Sequence, residues 1–296
     1  MATNPRGLSI SQLGVVDFIN CFSLLVVAGA VSTAYFFGQL FHAHLGYAFY
    51  WLLGSTIWII YSFDHVLDGM KQGEESVSVR HYIHFRYRKI IVPTVSALAV
   101  FNLFVAYYFL TPKLLQFGLG LTALVILYFS LVHVVKRLKT SWFKELFVSV
   151  VVCCGMVVLP GISGDMDASF ASLSLVACMI LINYANLLLF SFYDYDSDIR
   201  NGLTSAATEW GKEKIKSVIM NVLASAFALF VFWTFSVTSK VKLPVSVVIM
   251  IMFNVLLLLY IQEERFQEKG RYRFWGDFIF LVPGLVWYVL VNKNFF

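Results

Sequence analysis

Apolar runs of about 20 residues recur along the whole chain, and they constrain its fold more than any other feature of the sequence. A run of this length is enough for a helix to cross the hydrocarbon core of a bilayer. Only 13% of the residues are charged, whereas soluble domains carry about 25%. The sequence therefore predicts an all-α integral membrane protein that crosses the bilayer several times. We expect residues 1–296 to form a single domain.

Nine transmembrane helices are predicted from these runs. If the N-terminus is cytoplasmic, 18 of the 22 Lys and Arg residues fall in cytoplasmic segments. The positive-inside rule favours this orientation, which leaves the C-terminus outside. If the protein is bacterial, the membrane is expected to be the plasma or inner membrane. Because the basic residues lie in short loops, the net charge of +5 is no indication of nucleic-acid binding. The predicted spans are 15–41, 46–68, 89–111, 114–135, 145–161, 170–194, 214–237, 243–263 and 275–292.

Two pairs of aspartates end the second and the sixth predicted spans, Asp64 with Asp68 and Asp194 with Asp198. Residues four apart lie one turn apart on the same face of a helix, so each pair presents two carboxylates in one direction. Both pairs fall on the predicted cytoplasmic side, and four converging carboxylates repel one another unless cations lie between them. Mg²⁺ commonly binds through carboxylates together with substrate phosphates. We therefore predict Mg²⁺ as the cofactor, with these four aspartates as its ligands.

The two motifs resemble those of the UbiA superfamily of intramembrane prenyltransferases. That family has nine helices, with the pattern N-D-x-x-D-x-x-x-D ending the second helix and D-x-x-x-D-x-x-x-G ending the sixth. Asp194, Asp198 and Gly202 match the second pattern. Asp64 and Asp68 match the first, but Ile60 and Tyr61 stand where the family usually has Asn and an acidic or polar residue. The resemblance covers the whole chain in topology and implies a UbiA-like bundle.

The resemblance also implies an activity, which is the transfer of a polyprenyl group from its diphosphate to a lipophilic acceptor at the cytoplasmic face. An aromatic compound is the expected class of acceptor. The four aspartates are then the catalytic metal ligands. The oligomeric state is not predicted. The substrate-binding candidates are basic residues that follow spans and polar residues close to the aspartates: Arg80, Lys136, Arg137, Arg200, Tyr61, Tyr193 and Asn186.

Two other functions fit the same residues. A terpene cyclase of the same superfamily would capture the allylic cation with its own chain, and the altered first motif leaves room for that reaction. A transporter, or a non-catalytic membrane protein that has kept the fold, would use the carboxylates differently, for example in an ion pathway. Such a pathway favours polar groups spread through the depth of the bilayer, whereas these aspartates cluster at one face.

Overall fold

The computed structural model describes residues 7–76, 78–131, 141–238 and 242–292, and every regular element in them is helical. Short 3₁₀ turns lie at Ile10–Gln12, Gly73–Glu75 and Glu268–Gly270, and a π-helical turn, Cys154–Val158, joins α7 to α8. The α-helices are α1 (Val15–Cys21), α2 (Leu24–Leu40), α3 (Tyr47–Gln72), α4 (Val79–Arg86), α5 (Arg88–Phe109), α6 (Pro112–Phe129), α7 (Ser141–Cys153), α8 (Leu159–Ser163), α9 (Phe170–Asn201), α10 (Ala206–Trp210), α11 (Lys212–Ser236), α12 (Lys242–Ile261), α13 (Glu263–Gln267), α14 (Arg271–Phe278) and α15 (Val282–Asn292).

Six helical stretches in the described residues are long and apolar enough to cross a membrane: α5, α6, α9, α11, α12 and the stretch Phe143–Ser163 that runs through α7 and α8. Two bent pairs raise this number to eight if each is one span, namely α1 with α2, bent by 70°, and the α14–α15 pair, bent by 45°. The multi-pass, all-α character predicted from the sequence is therefore confirmed.

The second predicted span coincides with α3, which is 26 residues long but is not one of these apolar stretches. Tyrosine and tryptophan are common in α3 and contribute little hydropathy. Nine spans and the orientation of the termini stay predictions.

The central helix of the bundle is α9, which packs against α7, α10, α11, α12 and α14. It begins after Ser169, whose hydroxyl accepts a hydrogen bond of 3.2 Å from the Ser172 amide and so satisfies one of the open donors of the first turn. It ends at Gly202, whose φ of 63° suits a residue without a Cβ. The predicted span ends at residue 194, but α9 continues to Asn201. The backbone amides of the polar residues after 194 still donate hydrogen bonds to carbonyls one turn earlier. Asp194 and Asp198 therefore lie on one regular helix, as predicted.

The ends of the chain complete the bundle around α9. The N-terminal α2 packs against α3 and against α15, while α14 contacts both α2 and α9. Close packing is possible because glycine, which has no side chain, lies at such contacts. A Cβ on Gly29 would lie 2.8 Å from the Cβ of Phe280. This arrangement brings the polar ends of α3, α9 and α14 to one place, with the short helix α4 packed against α3.

Candidate functional site

A cavity of about 330 Å³ lies between the polar ends of α3, α7, α9 and α14. Asp64, Asp68, Asp194 and Asp198 all line it. The convergence of the two aspartate pairs, which are 130 residues apart in the sequence, is thus a property of the fold. Other parts of the wall are apolar side chains of α3, α6, α7 and α9, such as Ile57, Phe147, Val151 and Leu187. The cavity is therefore acidic in one part and apolar in another.

Three of the four aspartates are paired with cations of this chain. The Lys71 amine lies 2.8 Å from a carboxylate oxygen of Asp68, and the Lys144 amine lies 3.7 Å from Asp64. Asp194 accepts hydrogen bonds from the guanidinium of Arg273 and from the hydroxyl of Tyr272. In the part of the chain that the structure describes, no three His, Cys, Asp or Glu side chains gather closely enough to hold a metal ion. In the structure, cations of the chain therefore balance the charge of three of these carboxylates.

The described lining carries more carboxylates than cations. Four basic side chains face the cavity, Lys71, Arg80, Lys144 and Arg273, against six acidic ones, the four aspartates with Glu145 and Asp277. The formal charge of this lining is therefore −2. One oxygen of Glu145 accepts a hydrogen bond of 3.1 Å from the Ala206 amide, and the other is buried without a hydrogen-bond partner among the described residues. This acidic excess is the chemical basis for the binding of a divalent cation.

Arg80 and His81 reach the cavity from α4, a helix outside the spans. Burial, with the positive charge of Arg80 beside it, lowers the pKa of His81 well below its ordinary value. Burial also lowers the pKa of His84 to about 4. Both imidazoles are therefore neutral near pH 7, and they leave the acidic excess of the cavity unchanged.

The position of α4 depends on Gly69, because a Cβ there would lie 2.4 Å from the His81 carbonyl oxygen. We expect Gly69→Ala to push α4 away from α3 and to lower the free energy of unfolding by about 1–3 kcal/mol, as overpacked sites do. Thermal unfolding in detergent measures this effect. The matched control is Gly120→Ala on α6, where the added methyl group meets nothing within 4 Å. Equal unfolding temperatures for the two variants would contradict the predicted clash.

The seven predicted substrate-binding residues lie in different places relative to the cavity. Arg80 and Tyr61 line the cavity. Arg200 is exposed and is not part of the lining, because a residue two positions after Asp198 points about 200° away from it around the helix. Tyr193 is likewise outside the lining; it stacks on Tyr272 and donates a hydrogen bond of 2.5 Å to the Leu259 carbonyl. Lys136 and Arg137 lie outside the described residues.

Asn186, the last of the seven, is buried between α9 and α14 rather than in the cavity wall. It lies beside Gly276, where a Cβ would come within 2.4 Å of its side-chain oxygen. That oxygen has no hydrogen-bond partner among the described residues. The side chain therefore belongs to a helix contact behind the cavity, which the sequence spacing from Asp194 did not reveal.

Five charged residues of the lining were not predicted as site residues from the sequence: Lys71, Lys144, Glu145, Arg273 and Asp277. The lysines and Arg273 lie close to span ends, where positive-inside residues are common, so nothing distinguished them. Asp277 had a usable signal, because it falls inside the ninth predicted span, and an ionisable residue within a span is a functional candidate by default.

Solved structures share this fold. An apo structure of a UbiA homologue from Aeropyrum pernix K1 matches with a TM-score of 0.60 and 16% identity over 92% of this chain and 98% of its own. A UbiA homologue from Archaeoglobus fulgidus bound to GPP and Mg²⁺ matches with a TM-score of 0.60 and 12% identity over 90% of this chain and 98% of its own. No protein-family model and no curated protein matches the sequence. The predicted UbiA-like fold is therefore confirmed, and at these identities the similarity concerns the fold.

Proposed function

We propose that this protein is a Mg²⁺-dependent membrane prenyltransferase that moves a polyprenyl group from its diphosphate to a lipophilic acceptor. An aromatic compound is the expected class of acceptor. One observation carries the proposal: two aspartate pairs from distant helices line a single cavity that also has an apolar wall. An acidic site next to an apolar one suits a substrate with a charged head and a hydrocarbon tail. The structural relative bound to GPP and Mg²⁺ supports this choice of substrate.

The residues present suit Mg²⁺. A diphosphate is itself a multiply charged anion, so a cavity with a formal charge of −2 would repel it unless divalent cations were bound. Asp64, Asp68, Asp194 and Asp198 offer the hard oxygen ligands that Mg²⁺ prefers. When bound, Mg²⁺ neutralises charge that develops on the leaving diphosphate.

The cations of the cavity would bind the diphosphate oxygens. Lys71, Lys144 and Arg273 already lie beside the aspartates, and a charge-assisted hydrogen bond to phosphate is a strong interaction for each of them. Arg80 adds a guanidinium from α4. The apolar wall would hold the hydrocarbon chain and keep water away from the allylic cation until the acceptor reacts.

The loop after α9 is fixed at the same end of the cavity. The Ala206 amide donates to Glu145, and the Ala207 amide donates a hydrogen bond of 2.8 Å to the Ser191 hydroxyl. Gly202 and Leu203, which precede these anchors, line the cavity. We infer that the loop confines the diphosphate at the cytoplasmic face of the membrane, in line with the orientation predicted from the charges of the loops.

Release of inorganic diphosphate tests the proposal. The purified protein is given geranyl, farnesyl or geranylgeranyl diphosphate, with Mg²⁺ or with EDTA, in the presence or absence of a lipid extract of its native membranes. We expect release that needs both Mg²⁺ and the extract, because the charge of the leaving group must be neutralised and an acceptor must be present. Mass spectrometry of the product identifies the acceptor.

The other outcomes separate the alternatives. Mg²⁺-dependent release without the extract indicates a cyclase or a hydrolase, and the product distinguishes the two. Ion flux in liposomes without any diphosphate release would contradict the transferase and favour transport. An absence of release under every condition would overturn the proposed function.

A further inference from the structure

Glu145 is an acidic residue of the cavity lining that belongs to neither aspartate motif. It follows Lys144 on α7, and successive residues of a helix point about 100° apart. The Lys144 amine is directed towards Asp64 on α3. Glu145 is directed towards the loop after α9, where it accepts the hydrogen bond from the Ala206 amide. Helix α7 therefore places a cation beside the first aspartate pair and a carboxylate on the side of the second.

Glu145 and Asp198 are held by the same loop. The negative charge of Asp198 acts on the Glu145 carboxyl group, so the two groups lie within electrostatic range. The Asp198 carbonyl accepts a hydrogen bond of 2.9 Å from the Leu203 amide, and Glu145 accepts its bond of 3.1 Å from the Ala206 amide. The short segment 203–206 therefore fixes both acidic residues at one end of the cavity.

Neither Glu145 nor Asp198 forms an ion pair with a residue that the structure describes, whereas the other three aspartates each do. Lys144 acts on the charge of Glu145, and Arg273 and Arg80 act on that of Asp198, from beyond ion-pair distance. One oxygen of Glu145 is also buried without a hydrogen-bond partner in the described part of the chain. Two buried carboxylates that repel one another are costly, and a cation bound between them removes that cost.

Two carboxylates are enough to bind Mg²⁺. This ion keeps several water molecules and is commonly held by one or two carboxylates together with phosphate oxygens. The pair therefore agrees with the finding that no three His, Cys, Asp or Glu side chains of the described residues gather closely enough to hold a metal ion. A cation can enter here without displacing a basic side chain, whereas at each of the other three aspartates it must replace a Lys or Arg.

We propose that Glu145 is a metal ligand in addition to the four aspartates, and that Glu145 and Asp198 bind the first Mg²⁺ before any diphosphate is present. This inference rests on the proposed function and adds a ligand and an order of binding to it. Mg²⁺ binds at the remaining aspartates afterwards, when the diphosphate offers their Lys and Arg partners a new anion.

The charge of the cavity gives this order a purpose. One Mg²⁺ brings the formal charge of the described lining from −2 to zero. A diphosphate is then no longer repelled by the cavity that must bind it. The first ion therefore prepares the site for the substrate, and any further Mg²⁺ enters together with the diphosphate.

Titration of the purified protein with Mg²⁺ alone, without diphosphate, tests the inference. Calorimetry measures the affinity, and electron paramagnetic resonance with Mn²⁺ as the probe counts the ions bound. The main variant is Glu145→Gln, which loses the charge but keeps the oxygen that accepts the Ala206 amide. The matched control is Glu263→Gln, the same change at a carboxylate that pairs with Lys216 at 2.8 Å outside the cavity.

We expect the wild type to bind one ion more tightly than the others. Glu145→Gln should weaken this binding by at least about tenfold and should lose most of the rise in unfolding temperature that Mg²⁺ produces. Glu263→Gln should behave as the wild type. Asp198→Asn should give the same loss as Glu145→Gln, and the double variant should lose little more than either single one, because two ligands of one ion act as a unit.

A further variant, Glu145→Asp, separates the charge from the support of the loop. It keeps the carboxylate on a shorter side chain, so it should bind Mg²⁺ more tightly than Glu145→Gln even if its unfolding temperature in EDTA is lower. Equal affinities of the two variants would overturn the inference, because the charge of residue 145 would then not matter to the metal.

Unchanged affinity for Mg²⁺ in Glu145→Gln would also overturn the inference, whatever happens to turnover, since the residue would then serve only the loop or the substrate. Additive losses in the double variant would overturn it too, because Glu145 and Asp198 would then bind different ions. These results leave the proposed function in place if the wild type releases diphosphate with Mg²⁺. A wild type that binds Mg²⁺ through Glu145 but releases no diphosphate would refute the proposed function and retain the metal site.

Discussion

Replacing Asp198 by asparagine is expected to lower Mg²⁺-dependent diphosphate release by about 100-fold or more, because a ligand charge is lost at the metal. Asp198 lines the cavity on the same face of α9 as Asp194. Asparagine keeps the shape of the side chain, so the bundle should fold as before. Diphosphate release and thermal unfolding, measured on the same preparation, separate the loss of activity from a loss of structure. Asp64→Asn is expected to give the same result from the α3 side.

The same helix supplies the control for this experiment. Asp196 lies two residues before Asp198 and is directed outward, with 59% of its side chain exposed and Lys212 at 3.0 Å. An exposed ion pair contributes about 0–1 kcal/mol, so Asp196→Asn should change neither activity nor stability appreciably. Full Mg²⁺-dependent activity in Asp198→Asn would contradict the assignment of this residue as a metal ligand.

Replacing Lys144 by glutamine is expected to have two opposite effects. The Lys144 amine lies 3.7 Å from a carboxylate oxygen of Asp64, so it is expected to compete with Mg²⁺ for that carboxylate. Its removal should strengthen the binding of Mg²⁺ alone by about tenfold, within the usual range of coupling between sites. Turnover should fall, because the diphosphate loses a cation that would otherwise bind it.

Calorimetric titration with Mg²⁺, with and without inorganic diphosphate, measures both effects of Lys144→Gln. In the wild type we expect diphosphate to strengthen Mg²⁺ binding, because it gives the displaced lysine a new anionic partner. That gain should shrink in the variant. Lys212→Gln removes an amine of the same kind from Asp196 instead and serves as the control. Unchanged affinity for Mg²⁺ in Lys144→Gln would show that the lysine and the metal do not compete.

The sequence predicted much of the helical framework, because long apolar runs leave a membrane chain few alternatives to helices. The i and i+4 spacing of the aspartates also predicted correctly that each pair shares one helix face. The span ends were less accurate: α3 and α9 continue to Gln72 and Asn201. Hydropathy marks the apolar layer, whereas a helix continues as long as its backbone hydrogen bonds have partners.

The partners of the aspartates could not be predicted in this way. Lys144 and Arg273 reach the site from α7 and α14, and such pairings depend on how the helices pack in three dimensions. A basic residue near a span end looks the same in the sequence whether it faces the cytoplasm or a carboxylate. For Arg200 the information was present, since its position relative to Asp198 places it on the opposite side of α9.

The pairing of Asp194 with Arg273 has a consequence for biosynthesis. The two residues are 79 positions apart, so at about 5–20 residues per second the ribosome completes Arg273 about 4–16 s after Asp194. During this interval the carboxylate lacks the guanidinium that hydrogen-bonds to it in the folded protein, and water is the best substitute. The polar end of α9 should therefore stay at the membrane surface until α14 arrives. A nascent chain truncated before residue 271 should leave this end accessible to water-soluble labelling reagents.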